Sequence, residues 1–556
     1  MSLINYLKLG IIQKMKYCTY ISIKKSNTIL LKIRESIAFI TYNIGFLLVF
    51  LFLLPHCFSQ QKNLEEFQGK KLVNRVRLNF IPVQMPTSSF PNLKNTMGLM
   101  GLHYQVPFNE WLYGGAAIHS AITGDQGGLF TLGIEVGIHK HLFKNLYFDT
   151  NFHFGGGGGY RYLVNDGAFI NTNLGLQYKK KAFSFGVQYS HLNFYSGKIK
   201  SNSISLFLEI PSILRFTDYQ QAQKEFINTS LSKNNLWKSP AIKNAQQVRF
   251  DFFFPFGNSR KDDANQQAPL KATLYVIGFE YQKYMNEQVF LFAHTDAIYK
   301  GLRAGFMDLF FGAGYHLNLS ERLNLFGKLG IGAAGGRIAP EGGLMIYPSA
   351  GINLALSNRF SLSSHGGYYR AITGDLEAYT LGFGLKYTSF NGGTYFATEE
   401  YQNLYTQGIR IALLNQSYFK VAKTDAPKTD LQLLAIQFNY DINNTFYVIG
   451  EAGFAYKGKS GGYAHGLVGI GLYSPRFLDE KLRVHLEGMI GAAGGAGVDT
   501  GEGIVIRPSL GISYHISPSI SLFSSIGKMV APFGNMNTSN INAGLSFELS
   551  TLSASK

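Results

Sequence analysis

A chain of 556 residues with 62 Gly, 45 Phe, 33 Tyr and only 15% charged residues has the composition of a Gly- and aromatic-rich β protein with room for several domains. Its two cysteines, Cys18 and Cys57, both sit near the N-terminus, which excludes a disulfide framework or a thiolate metal site in the rest of the chain. The formal charge of +17 is scattered through turns and strands with no contiguous basic patch, which argues against a nucleic-acid partner.

Residues 37–59 hold an apolar run preceded by Lys32 and Arg34 and ending near Phe58-Ser59-Gln60. Basic flank, apolar region and polar exit predict a cleaved secretory signal peptide, with residues 1–59 as the signal and its N-terminal extension and Met15 as a second candidate start. The unbroken apolar stretch is short for a membrane-spanning helix, and Leu54-Pro55-His56 before Cys57 matches a lipidation box only at its first position. Removing residues 1–59, with seven Lys or Arg and one Glu, leaves a charge of about +11.

The rest of the chain is organised by a repeat. Glu321 to Arg370 returns as Lys481 to Val530, and a fainter copy runs from Leu146 to His191, with GGGGG in place of GAAGG. Repeats of this kind have to be found first, because they set the fold. Each copy alternates with period two: in Asn542 to Leu549, Ala543, Leu545, Phe547 and Leu549 share one face, and Asn542, Gly544, Ser546 and Glu548 the other. In Leu381 to Tyr387 the faces are Leu381/Phe383/Leu385/Tyr387 and Gly382/Gly384/Lys386. Period two predicts strands with two environments. A soluble sandwich would turn the polar face outward; a transmembrane barrel turns the apolar face to lipid.

In chain order, the first repeat spans 72–214, with strands near 72–83, 97–107, 110–122, 128–141, 145–155, 167–179, 182–192 and 203–212. A polar linker without alternation follows at 215–247. The second repeat spans 248–390, with strands near 246–256, 269–283, 287–299, 302–317, 321–335, 342–355, 359–370 and 378–389. A linker at 391–407 leads to the third repeat, 408–549, beyond which LSTLSASK reads as a tail. Turns such as MNEQ, NLSE and LSNR alternate with longer connections such as GNSRKDDANQQAP and GGRIAPEGG; the third repeat has DINN, SPRFLDEK and SPS against KVAKTDAPKTD, YKGKSGG and GGAGVDTGEG. Short turns on one side, long loops on the other and an even strand count predict an all-β, transmembrane antiparallel barrel.

Phrases such as GAGYHLNLSERLNLFGKLGIG, SAGINLALSNRFSL and SLGISYHISPSISLF resemble the small outer-membrane barrel families typified by the opacity-type surface proteins and the OmpA-like transmembrane domain. The signal region with its FSQ exit resembles those of Bacteroidota. The resemblance covers each repeat, rests on pattern, and implies the bacterial outer membrane, with lipid and lipopolysaccharide as surroundings. Such families include adhesins, anchors and small pores.

Eight strands three times permit three tandem barrels or one 24-stranded barrel. The two linkers and the inward glycines Gly382, Gly384, Gly469 and Gly471 favour three narrow, filled barrels. Seam charges leave the choice open. Closure within repeats pairs Arg77 with Glu209 and Arg410 with Glu548 but sets Arg249 beside Lys386. A single barrel pairs Glu209 with Arg249 and Glu548 with Arg77 but sets Lys386 beside Arg410. With Lys328 and Glu487, these are the expected inward charges.

No catalytic set emerges. His139 and His141 share a face without a third ligand and read as solvated turn residues. Asp149, Asn151 and His153 share an inward face, and their counterparts are Phe326/Lys328/Gly330 and His485/Glu487/Met489, as a variable internal network would have. Ser364 and His365 are adjacent and so point to opposite sides. The Gly-rich segments lack the Lys-Ser/Thr of a phosphate loop and read as flexible outer loops; ITGD occurs at Ile122 and Ile372 in non-equivalent loops. The expectation is a protein that is not an enzyme, holds no cofactor or metal, and has a structural or surface-interaction role, with periplasmic or surface protein partners. A wide pore is the expectation if the strands form one barrel.

Overall fold

The computed structural model describes residues 69–231, 235–263, 266–339, 341–397 and 399–555. The signal-peptide reading falls outside them. Three closed antiparallel barrels of eight strands are present. The first is built of Lys70–Gln84, Thr96–Pro107, Leu112–Thr123, Phe130–Phe143, Leu146–Gly158, Phe169–Lys179, Ser184–Phe194 and Lys200–Phe216. It closes by pairing of its first and last strands, with Arg77 opposite Glu209. The second uses Ile242–Phe256, Leu274–Tyr284, Val289–Lys300, Met307–Asn318, Leu323–Gly335, Leu344–Ala355, Phe360–Ala371 and Glu377–Asn391, again closed first to last. The third uses Asn403–Val421, Thr429–Asp441, Phe446–Lys457, Ala464–Tyr473, Leu482–Gly494, Ile504–Ser517, Ile520–Val530 and Asn537–Ser555, closed in the same way. A single 24-stranded barrel is not formed, because each repeat satisfies its own edge strands.

The faces are inverted relative to a water-soluble sandwich. Leu174, Leu176, Phe185, Val187, Ile204 and Leu206 are exposed on the first barrel, as are Leu329, Ile331, Leu381 and Phe383 on the second and Ile470 and Ile512 on the third. Asn151, Asn173, Gln188 and Ser205 are buried inside. This outward apolar belt over a polar interior is the pattern of a transmembrane barrel. Inward glycines give room to inward rings: a Cβ at Gly312 would meet Phe292, one at Gly314 would meet Phe290, and one at Gly471 would meet Tyr447. Small opposite large is how eight strands fill their lumen.

Two boundary expectations need correction. Described residues of the segment read as a polar linker without alternation pair with the barrels: Glu225–Ile227 pairs with Asn403–Tyr405, and Thr217 exchanges backbone hydrogen bonds with Ser550. The expected C-terminal tail belongs to the last strand, which runs through Ser555. Both follow from edge pairing, since the long first strand of the third barrel offers backbone groups that the tail and linker satisfy. The linkers and strand ends bury a small apolar cluster that includes Trp237, Leu231, Tyr401, Leu404 and Leu552. Tyr219 donates a hydrogen bond to the Asp441 carboxylate at 2.6 Å. Burial, then the adjoining carboxylate, pushes its hydroxyl above the ordinary phenol range, so it stays a donor at neutral pH.

Trp237 is fully buried, whereas Trp111, the other tryptophan, stands half exposed in a short turn. Trp111→Phe is therefore expected to leave blue-shifted emission that acrylamide does not quench. Trp237→Ala should cost about 3–5 kcal/mol of stability through the cavity it opens, read as a lower urea midpoint.

Candidate functional site

Each barrel carries a buried charge network at mid-height, held by inward positions of alternating strands. In the first, Arg77 donates to Asp149 at 2.8 and 3.0 Å and to Glu209 at 3.1 and 2.9 Å. Tyr113 donates to Asp149 at 3.2 Å and Gln177 to Glu209 at 2.9 Å. A guanidinium between two carboxylates, with amide and hydroxyl donors on the remaining lone pairs, makes a buried charge tolerable. His103 meets Glu135 at 2.8 Å.

In the second barrel Arg249 reaches Glu280 at 2.9 Å and also Asp251, His294 and His365. Lys328 donates to Glu280 at 2.5 Å, and Lys386 to the Tyr284 hydroxyl at 3.1 Å. In the third, Arg507 grips Glu451 with two bonds of 2.7 and 2.6 Å, and His465 and Gln416 complete that carboxylate at 2.9 and 2.8 Å. Glu487 accepts from Tyr447 at 2.8 Å and Ser509 at 3.2 Å.

All eight charges singled out from the sequence are buried: Arg77, Glu209, Arg249, Lys328, Lys386, Arg410, Glu487 and Glu548. Their positions match the seam arithmetic for closure within repeats at two of the three seams. Arg77 and Glu209 stand opposite and bond. Arg249 stands opposite Gly384, while Lys386 stands opposite Gln247, so the unfavourable pair is avoided by an offset of register. Arg410 is opposite Glu548 yet lies between the Tyr447 and Tyr473 rings, 4.8 and 4.7 Å from their centroids. Glu548 is bound by Ser521 at 2.7 Å and lies 3.3 Å from His515. His139 is not simply solvated: its Nδ1 is 3.3 Å from Asp149, and its ring stacks on Tyr147. His141 turns away to the carbonyl of Lys144. His365 points inward to Arg249, and Ser364 lies on the opposite face.

Sequence reasoning missed Asp251, Glu280, His294, Asp296, Asp308, Glu451 and Arg507. The signal was there, because each sits at an inward position of an alternating strand; choosing among the many polar inward positions needed the register.

The long loops close one end of every barrel. Phe306, Ile338, Leu270 and Leu376 from loops of the second barrel are buried with Phe253, Phe310 and Tyr369 from its strands. Leu129, Leu163, Val164 and Ile199 do the same in the first barrel, and Val498, Ala531 and Met536 in the third. No helix among the described residues is long and apolar enough to cross a membrane, which says nothing of crossing by strands.

The Gly-rich segments are not free loops. They end fifth strands and form backbone contacts between barrels. A Cβ at Gly158 would strike the backbone of Gly461 and Gly462, one at Gly335 that of Gly127 and Gly128, and one at Gly494 that of Ala304 and Gly305. In each case the loop after a third strand also donates a backbone bond to the loop after a fifth strand of another barrel. Gly127 bonds to Glu341 at 2.6 Å, Ala304 to Gly501 at 3.1 Å and Gly461 to Asn165 at 2.8 Å. One head-to-tail contact, made three times, closes a ring within one chain. Beneath it, outward residues of all three barrels share an apolar cluster: Phe130 and Leu132, Ala333 and Met307, and Phe454 and Ile436. At the contacts themselves the outward positions are the glycines Gly158, Gly335 and Gly494, because backbones must approach closely there.

No protein-family description matches the chain, and no curated protein matches it. Among solved structures it is similar to the attachment invasion locus protein Ail of Yersinia pestis, at 12% identity over 27% of this chain and 99% of that one, with a TM-score of 0.19. It is also similar to the ferric enterobactin receptor of Pseudomonas aeruginosa, at 9% identity over 88% of this chain and 82% of that one, with a TM-score of 0.27. OccAB3 of Acinetobacter baumannii is 12% identical over 86% of this chain and 99% of that one, with a TM-score of 0.21. Likenesses at these values assign no role.

Proposed function

We propose that this chain is an integral protein of a bacterial outer membrane, exported by its N-terminal segment. In this reading it serves as a non-conducting scaffold that holds three sets of exterior loops in a fixed ring. The observation that carries the reading is the filled interior: each lumen holds a buried network of ion pairs and hydrogen bonds beneath an apolar layer supplied by its own loops. A solute path would require breaking both. The role is structural or surface-interaction rather than catalytic. The partners are outer-membrane lipid and lipopolysaccharide along the belt, surface proteins at the loops, and periplasmic proteins at the linker side.

The test is electrical and topological. Purified, folded protein in planar bilayers is expected to give no steps of nanosiemens size. Regular large steps would reinstate a pore. In cells, Arg260→Cys in the longest loop hairpin is expected to react with a membrane-impermeant maleimide. Glu287→Cys, in a short turn, should react only after lysis; the reverse pattern would overturn the orientation.

A further inference from the structure

The polar layer of the second barrel contains a group that ion pairing does not explain. His294 and Asp296 lie on Val289–Lys300 and Asp308 on Met307–Asn318, all inward and at most 2% exposed. One ligand atom from each lies within 4.8 Å of the other two. His294 Nε2 is 3.9 Å from Asp296 Oδ2 and 4.0 Å from Asp308 Oδ1. Two independent features mark the space between them. His294 Nε2 has no hydrogen-bond partner, and neither oxygen of Asp296 receives a hydrogen bond. Burying such atoms unpaired is costly, and the nearest fixed counter-charge to Asp296 is Arg249, at 3.7 Å without a hydrogen bond. The charge count points the same way. Around this group stand Asp251, Glu280, Asp296 and Asp308 against Arg249 and Lys328, with Lys386 further along the lumen at Tyr284, so that negative charge is in excess even with Lys386 counted.

We propose that His294, Asp296 and Asp308 bind one divalent first-row cation of the Zn2+ or Mn2+ type, which pins the third and fourth strands of the second barrel together. One imidazole nitrogen and two carboxylates suit such an ion. Bond lengths of about 2.0–2.2 Å require the three donors to draw in by a few tenths of an ångström. The remaining partners of Asp308 hold it in place: Tyr369 donates to Oδ2 at 3.0 Å and the Asp296 backbone to Oδ1 at 2.8 Å. His294 Nδ1 lies 2.9 Å from Arg249 and 3.6 Å from Glu280 Oε2. On loading, the imidazole proton moves from Nε2 to Nδ1: Arg249 gives up its bond to Nδ1 while keeping that to Glu280, and the Glu280 carboxylate draws in from 3.6 Å to take the Nδ1–H hydrogen bond. A carboxylate behind a ligating histidine is the usual support for such a ligand. Because Phe306, Phe310 and Tyr369 seal the layer above, the ion enters during folding.

The experiment refolds the full chain in detergent with EDTA, with Zn2+ or with Mn2+, passes it through chelator, and measures metal content and urea midpoint. The expected result is one equivalent per chain for one of the two ions, with a raised midpoint. His294→Gln and Asp296→Asn should lose both, and His465→Gln in the third barrel should retain the metal. A native chain that retains no metal, or variants that retain it, would overturn the site; the carboxylates would then share a proton. Should the variants not fold, X-ray absorption of the loaded native chain decides: one imidazole in an oxygen-rich shell is expected, and several imidazoles would place the ion elsewhere.

Discussion

Arg507→Ala is expected to destabilise the third barrel by about 3–5 kcal/mol, the usual consequence of stripping one partner from a buried ion pair. Glu451 is fully enclosed, and the two guanidinium bonds at 2.7 and 2.6 Å supply its only permanent positive charge. His465 and Gln416 would remain, but neither neutralises a carboxylate in a sealed lumen. The double change Arg507→Leu with Glu451→Leu removes the charges together and should recover most of the loss, because no ion is left unpaired. Urea unfolding of the protein in lipid vesicles reads both. Equal destabilisation by the single and the double change would mean that the pair acts through shape alone.

The second large effect is expected at the ring. Gly158→Val, combined with Gly335→Val and Gly494→Val, places side chains where the barrels touch backbone to backbone. Overpacking of this kind costs about 1–3 kcal/mol at each site, and the neighbouring barrel can relieve it by moving away. The barrels should therefore stay closed while the ring opens. Hydrogen exchange separates the two: the amides of Gly127, Ala304 and Gly461, which donate across the interfaces, should exchange about tenfold faster or more, and strand amides within each barrel should not. Unchanged exchange at those three amides would refute the ring. The same comparison distinguishes the glycines from flexible loops, whose amides would be unprotected from the start.

Much of this molecule is written locally. Alternation in segments such as Asn542 to Leu549 sets which residues face out, and the change between short turns and long connections sets the up-and-down order of strands. Both are nearest-neighbour properties, so the eight strands of each repeat and the inward placing of Arg77, Glu209, Arg249 and Glu487 were legible without coordinates. Period two says nothing about register, which is fixed only when the first and last strands meet. For that reason Arg249 and Lys386 read as an unfavourable pair, whereas closure sets them opposite Gly384 and Gln247. The same limit hid Arg507–Glu451 and the His294, Asp296 and Asp308 group, whose members become neighbours only across strands.

Composition misled where it described contacts rather than strands. Gly155 to Gly159 and the two GAAGG segments resemble mobile loops because glycine is common in both loops and close backbone contacts. What distinguishes them is a second surface brought up from elsewhere in the chain, which here is another barrel. The linkers carry no alternation, yet their described residues pair with strand edges and pack around Trp237. Sequence alone determined the strands, their faces and their eightfold count per repeat, because each depends on residues a few positions apart. Closure within each repeat, the charge partners and the ring of three were decided only by the tertiary structure, because they depend on edges and surfaces that meet after the strands have formed.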